Sequence, residues 1–319
     1  MIRRLTRWLL VMQGLVVAGL TTALLKLSEL QHPMLALALA IGLVLAVRLS
    51  ITASGFALAW RYRSETPEPF RISWYRTARL FCSEFSASMI SSSWNMAFFQ
   101  VGKKPALQSG ELPVLLIHGY GCNSGYWHAM SKRLSATHIS HQGIDLEPML
   151  ASIDSYVPAV TKAIDELAYD SRSEQVILVA HSMGGLISRA YLREQGSRRV
   201  AAIITLATPH HGTAMARHGI GINSQQMRRS DDDVPSTWLQ QLDSIETAAS
   251  RTLFISIYSH HDNIVSPQLS AHLDGATNIA LSGIGHVALG MDRSVQDCVI
   301  AQIRQVATRR KARQSRLPT

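Results

Sequence analysis

Residues 179–185 read Val-Ala-His-Ser-Met-Gly-Gly, and this run constrains the fold more than any other stretch of the chain. The apolar residues 175–180 predict a buried strand, and the small residues around Ser182 permit a sharp turn straight into a helix. The pattern is G-x-S-x-G, with Ala180 in the first glycine position and Gly184 in the second. Such a turn holds its serine in a strained backbone conformation and presents the hydroxyl at the end of the strand. Ser182 is therefore a candidate nucleophile.

A serine hydroxyl attacks well only when a histidine takes its proton and a carboxylate orients that histidine. Downstream, the strand-like run 252–258 is followed by Ser-His-His-Asp-Asn-Ile-Val-Ser-Pro, which sets Asp262 in a loop just past a strand. A second apolar run, 278–281, leads into Ser-Gly-Ile-Gly-His-Val-Ala-Leu, which sets His286 on a glycine-rich loop before the last helix. Both positions fall at the carboxyl ends of strands, where open α/β sheets hold their sites. Upstream, residues 113–117 predict the first core strand, and it ends in His-Gly-Tyr-Gly at 118–121.

With these motifs in this order, the region 111–308 resembles the α/β-hydrolases, and among them the small bacterial triacylglycerol lipases and esterases, which share the alanine-for-glycine substitution at the elbow. The resemblance implies an α/β fold with a mostly parallel sheet flanked by helices. It also implies the chain order Ser182, Asp262, His286 for a catalytic triad. Two backbone amides would stabilise the oxyanion, that of Met183 after the nucleophile and that of Tyr120 in the loop after the first strand. His118, Gly119 and His181 become candidates for the pocket wall. Residues 208–213, Thr-Pro-His-His-Gly-Thr, depart from the compact members and are similar to a loop of larger lipases and deacylases. The implied activity is hydrolysis of carboxylic esters, including lipid acyl esters. An acyltransferase working through the same acyl-enzyme, or a membrane-tethered interaction protein without turnover, are the alternatives.

Other polar residues have plainer readings. Asp145 is a fallback acid, but it precedes the serine. His260 and His261 read as loop residues. His210 and His211 lack Cys, Asp or Glu partners at ligand spacing, and the consecutive aspartates 231–233 do not alternate as calcium loops do. No cofactor and no metal are implied. The three cysteines, Cys82, Cys122 and Cys298, show neither disulfide nor zinc spacing and fit a reducing compartment.

The N-terminal region has a different character. Residues 8–25 carry no charge, and a second apolar run opens after Pro33, interrupted only by Arg48. This predicts a two-helix transmembrane hairpin within residues 1–62, with spans of about 8–25 and 34–55 and Arg48 placed toward one membrane surface. A cleaved signal peptide is the rival reading, which would make the protein secreted or periplasmic, but no small-residue cleavage site with a polar flank follows. Arg3, Arg4 and Arg7 precede the first run, and Arg61, Arg63, Arg71, Arg76 and Arg79 follow the second, while the intervening loop has Lys26 and Glu29. The positive-inside rule then places both ends, and the catalytic domain, on the cytoplasmic side of a bacterial inner membrane. The formal net charge of +9 reads as attraction to anionic lipid rather than to nucleic acid.

Residues 63–110 form a connector and linker. Trp74, Phe81, Phe85 and Met89 recur there at near-helical spacing, which suits an interfacial amphipathic helix or a helix packed on the catalytic domain. The domain itself covers 111–319 and ends in a basic tail. Residues 210–250, with an apolar helix expected at 235–249, are either a lid over the strand ends or a surface excursion.

Overall fold

The computed structural model describes residues 1–27, 32–104, 112–230 and 232–314. Glu29, much of the 102–110 linker, Asp231 and the last residues of the basic tail lie outside these. Helices α1 (Ile2–Leu27), α2 (Pro33–Arg61), α3 (Trp74–Ile90) and α4 (Met96–Phe98) precede strand β1 (Val114–Ile117). Then follow α5 (His128–Ala136), β2 (His141–Gly143), α6 (Val157–Asp170), β3 (Val176–His181), α7 (Met183–Gln195) and β4 (Val200–Leu206). The chain continues with α8 (Ile222–Gln226), α9 (Thr237–Ile245), α10 (Ala248–Arg251), β5 (Phe254–Ser259), β6 (Thr277–Leu281) and α11 (Arg293–Gln314).

Among the described residues, six strands form one sheet in the order β2-β1-β3-β4-β5-β6, and every neighbouring pair is parallel. Both faces are covered, so the central strands read as unbroken apolar runs. Leu115, Ile117, Leu178 and Ala180 point to the face packed by α6 and α7, where Val160, Ile164, Leu186 and Ile187 are buried. Val114, Leu116, Ile177 and Val179 point to the other face, packed by Trp127, Met130 and Leu134 beside α5 and by Val295, Val299 and Ile303 of α11. The chain leaves β1 for β2 on one side and returns to β3 on the other. The ends of β1 and β3 therefore meet at the topological switch point, where parallel sheets open a crevice.

The hairpin helices extend beyond the expected spans at both ends. Both are long and apolar enough to cross a membrane, and they lie against each other with small residues such as Ala36 and Ala40 buried. Their extra turns attach to the connector and to the α/β domain. The Met1 amino group pairs with Glu147, Arg3 Nη1 donates to Gln100 Oε1 at 2.8 Å, and Arg7 Nε donates to the Ala97 carbonyl at 2.9 Å. At the other foot, Ser266 Oγ donates to the Ala59 carbonyl at 2.9 Å. The hairpin thus stands on loops at the carboxyl edge of the sheet.

The helix expected over 235–249 is two helices. Ser236 caps α9 by accepting from the Leu239 amide, and Thr247 starts α10 by accepting from the Ser250 amide. The break frees Glu246, which with Asp243 receives the fully buried Arg189 guanidinium of α7 at 2.6 Å each. Arg251 contacts the same two carboxylates. This ion cluster, with Leu239 and Leu242 buried beside it, fastens α9 to the body of the domain. Arg189→Ala should cost about 3 kcal/mol, seen as a drop of roughly 6–10 °C in the thermal midpoint, because two carboxylates lose a buried partner.

Candidate active site

The turn after β3 is built by close approach. Ser182 has φ +53° and ψ −124°, a region that non-glycine residues enter at a cost of about 1–3 kcal/mol. Its backbone is held on both sides: its amide donates to the Leu206 carbonyl at 2.8 Å, and its carbonyl accepts from Thr208 Oγ1 at 2.9 Å. The two glycines that follow are needed for space. A Cβ on Gly184 would sit 2.6 Å from the Ile117 carbonyl oxygen, and one on Gly185 would sit 2.1 Å from Thr208 Oγ1. Ala180, by contrast, points its methyl into the core formed with α6 and α7, which is why alanine serves at that position.

Asp262 and His286 come together from the loops after β5 and β6. His286 Nδ1 lies 2.8 Å from Asp262 Oδ2, with both side chains buried. Asp262 Oδ1 accepts from the Ile264 and Val265 amides at 2.7 Å each, which fixes the carboxylate. The His286 amide donates to Asn263 Oδ1 at 3.0 Å. Burial alone would lower the His286 pKa; the charge and hydrogen bond of Asp262, with the charge of Glu84, outweigh it and leave the imidazole above its ordinary value.

His181, which precedes Ser182, touches this pair. His181 Nε2 lies 3.1 Å from the His286 carbonyl, and the two rings are 4.6 Å apart. The His181 ring is also stacked on Tyr126 at 4.4 Å. Burial and the nearby His286 push the His181 pKa well down, so its ring is neutral and Nε2 donates. A Cβ on Gly119 would lie 2.9 Å from Ser182 Cβ and 3.2 Å from the His181 carbonyl oxygen. The loop after β1 therefore presses against the serine, with the Tyr120 backbone beside it. Met183 opens α7, where an amide has no carbonyl partner within the helix. The Tyr120 hydroxyl reaches away from the site and bridges the Ile220 amide and carbonyl at 3.1 and 2.8 Å.

His118 is turned to another task. Its Nε2 accepts from the Leu146 amide at 3.1 Å while Nδ1 donates to the Gly119 carbonyl at 2.9 Å, a neutral tautomer that burial favours by lowering its pKa. Asp145 accepts from the Ser124 amide at 2.7 Å, so it caps a turn rather than facing His286. His210 Nε2 meets Thr205 Oγ1 at 3.3 Å, and its carbonyl accepts from Arg189 at 2.7 Å. Among the described residues, no group of three or more His, Cys, Asp or Glu side chains is placed to hold a metal.

Glu84 was not singled out from the sequence. It sits on α3, wholly buried, and its two carboxylate oxygens accept from the amides of Val287 and Ala288 at 2.9 Å each. A Cβ on Gly285 would lie 2.5 Å from Glu84 Oε2, so that glycine exists to admit the carboxylate. Burial raises the Glu84 pKa, against the two amide bonds and the His286 charge that lower it. The one signal in the sequence was a lone acid on the apolar side of an amphipathic helix, and its partners lie 203 and 204 residues away. Glu84→Ala should speed amide exchange at Val287 and Ala288 by roughly tenfold to a hundredfold, as loss of about 1–3 kcal/mol from an unsatisfied buried group implies. Exchange in α6 should not change.

Comparison with known proteins places the fold. The structure is similar to that of the lipase BlEst2 of Bacillus licheniformis in its mature form, at 17% identity and TM-score 0.55, over 63% of this chain and 96% of that one. The propeptide form of the same lipase matches equally, over 52% of its chain. At that identity the likeness is one of fold, a parallel sheet flanked by helices in the α/β-hydrolase arrangement. Residues 148–309, about half of the chain, match the PGAP1-like alpha/beta domain. The segment includes the strained turn at Ser182 and both loops that carry Asp262 and His286, and the chain belongs to the PGAP1-like alpha/beta domain family.

Proposed function

We propose that the protein is a serine hydrolase of carboxylic esters, with lipid acyl esters as the substrate class. The observations that carry this reading are the buried Asp262–His286 pair and the strained turn at Ser182, whose neighbour His181 has its ring 4.6 Å from that of His286. Ser182 attacks the ester carbonyl, and His286 takes its proton and then passes it to the leaving alcohol. Asp262 holds the imidazole through Nδ1 and stabilises its protonated form. The Met183 and Tyr120 amides hold the oxyanion. Water then attacks the acyl-enzyme by the reverse path, and no cofactor is needed.

Three features support a lipid substrate and a membrane setting. The mature and propeptide structures of the matched fold are those of a lipase. The hairpin stands on loops of the same sheet edge that holds Ser182. Large apolar side chains are exposed around its foot, among them Trp8, Trp60, Trp94 and Phe98, the composition of an interfacial belt. We read α1 and α2 as a membrane hairpin with the catalytic domain on the cytoplasmic side. A reporter fused after Thr319 and active only in the cytoplasm should give signal; a periplasmic signal overturns that placement.

Ser182→Ala in the full chain should lower ester hydrolysis by at least about 10³-fold, measured on nitrophenyl esters of short and long chains. Equal rates for variant and parent would sink the triad. The acid limb of kcat/KM should lie above pH 6.5, because His286 must be neutral to act as base and its raised pKa keeps it protonated to higher pH. Activity is then lost as pH falls through that pKa.

A further inference from the structure

The hydrogen bonds at the Asp262 carboxylate's Oδ1 fix it only relative to its own loop. That oxygen accepts from the Ile264 and Val265 amides, which are close neighbours in the chain. A group outside residues 262–265 has to set that loop against His286. Gln268, buried at the start of a short helical turn (Gln268–Ala271), is placed to do so. Its Nε2 donates to the Asp262 carbonyl at 2.9 Å, and its Oε1 accepts from the Ser64 amide at 3.1 Å. A backbone carbonyl only accepts and a backbone amide only donates, so the orientation of the side-chain amide is fixed.

Ser64 lies just past the end of α2 and returns the contact, its Oγ accepting from the Leu269 amide at 2.9 Å. With the bond from Ser266 to the Ala59 carbonyl, these contacts join the foot of α2 to the acid loop. Asn263 extends the same brace. A Cβ on Gly55 of α2 would lie 3.5 Å from Asn263 Nδ2 and from its carbonyl oxygen, and Asn263 Oδ1 accepts from the His286 amide at 3.0 Å. On the far side, Glu84 of α3 holds the Val287 and Ala288 amides. Helix α3 in turn leans on α2, where the Phe81 and Phe56 ring centres are 5.6 Å apart. Acid and base are thus each held by elements that precede the sheet in the chain.

We propose that Gln268 is a positioning residue for the acid, the counterpart of Glu84 for the base, so that the segment leaving α2 and helix α3 together set Asp262 against His286. The inference rests on the serine-hydrolase reading for its effect on turnover, and it does not need α2 to cross a membrane. Neither side chain touches the reacting atoms. Each acts by placing a loop, and an error of about 1 Å in such placement can cost roughly a hundredfold in rate.

The test uses the full chain purified in detergent and assayed on a nitrophenyl ester. Gln268→Met keeps the length and most of the packing but removes both hydrogen bonds. It should lower kcat roughly tenfold to a hundredfold while KM changes by less than about twofold. Methionine would serve equally for a side chain that only filled space. Glu84→Gln should also lower kcat, and it should move the acid limb of kcat/KM to lower pH. The titratable groups around His286 are Asp262, Glu84, His181 and Tyr126, with Arg76 and His261 at Gly283, where its loop begins. The charge of Glu84 helps to hold the imidazole pKa up, so its removal lets His286 become neutral at lower pH. Proton NMR of the His286 Nδ1–H bonded to Asp262 needs no turnover at Ser182, and that downfield resonance should shift or broaden in both variants. A Gln268→Met variant with parental kcat, or one whose loss lies in KM, overturns the role of Gln268. An unmoved acid limb in Glu84→Gln overturns that of Glu84. An imidazole proton signal unchanged in both variants overturns the proposal as a whole. Failure of the hydrolase reading shows separately, as ester cleavage that Ser182→Ala does not reduce.

Discussion

Where the turn after β3 passes the end of β1, backbone and side chains are within a few ångströms on three sides. Gly184 is pressed against the Ile117 carbonyl, Gly185 against Thr208, and Gly119 against Ser182 itself. None of these gaps admits a methyl group without movement of the chain. The crowding has a direct result: Ser182 is held in a left-handed backbone conformation that it would not adopt alone, and Thr208 and Leu206 tie its carbonyl and amide in place. The strand order β2-β1-β3 brings β1 and β3 side by side with their connections leaving in opposite directions.

Electrostatics around that turn are sorted by burial. Burial disfavours the charged forms of His118 and His181; His118 uses both ring nitrogens in hydrogen bonds, and His181 donates from Nε2 alone. His286 is equally buried but has Asp262 in contact and Glu84 nearby, and it alone of the three is shifted upward. Three imidazoles within one crevice thus have separate roles, set by which has a carboxylate at Nδ1. Protonating His181 as well would set two positive rings 4.6 Å apart, which explains why its downward shift is coupled to His286.

Much of this was legible in the sequence because the information is local. The elbow is a seven-residue pattern, the loops with Asp262 and His286 follow apolar runs, and the hairpin is a matter of length and hydropathy. The strand ends moved by only one or two residues, as from 252–258 to Phe254–Ser259. What sequence reading missed depends on contacts between distant residues. Glu84 and Gly285 are 201 positions apart, and neither signals the other. His118 looked like a pocket residue by its place after β1, but its ring is spent on Leu146. The break between α9 and α10 follows from two caps and from the pull of Arg189 on Glu246, where apolar periodicity alone suggested one helix. Amphipathic spacing in residues 74–89 could not distinguish a bilayer face from a protein face. In the structure Glu84 and Leu80 of α3 are buried, while Trp74 is exposed.

The Glu84 contact also bears on where a self-sufficient fragment begins. A chain cut at the start of β1 would keep every strand, the elbow and both loops, and by those criteria would count as the whole catalytic unit. Yet the amides of Val287 and Ala288 would lose their acceptors, and Gly285 would face a void left by the departed carboxylate. The histidine loop is thus completed in trans-domain fashion by a helix that elsewhere leans on the hairpin. A shortened version meant for solution work has to start ahead of Ser73, the cap of α3, to carry that carboxylate with it.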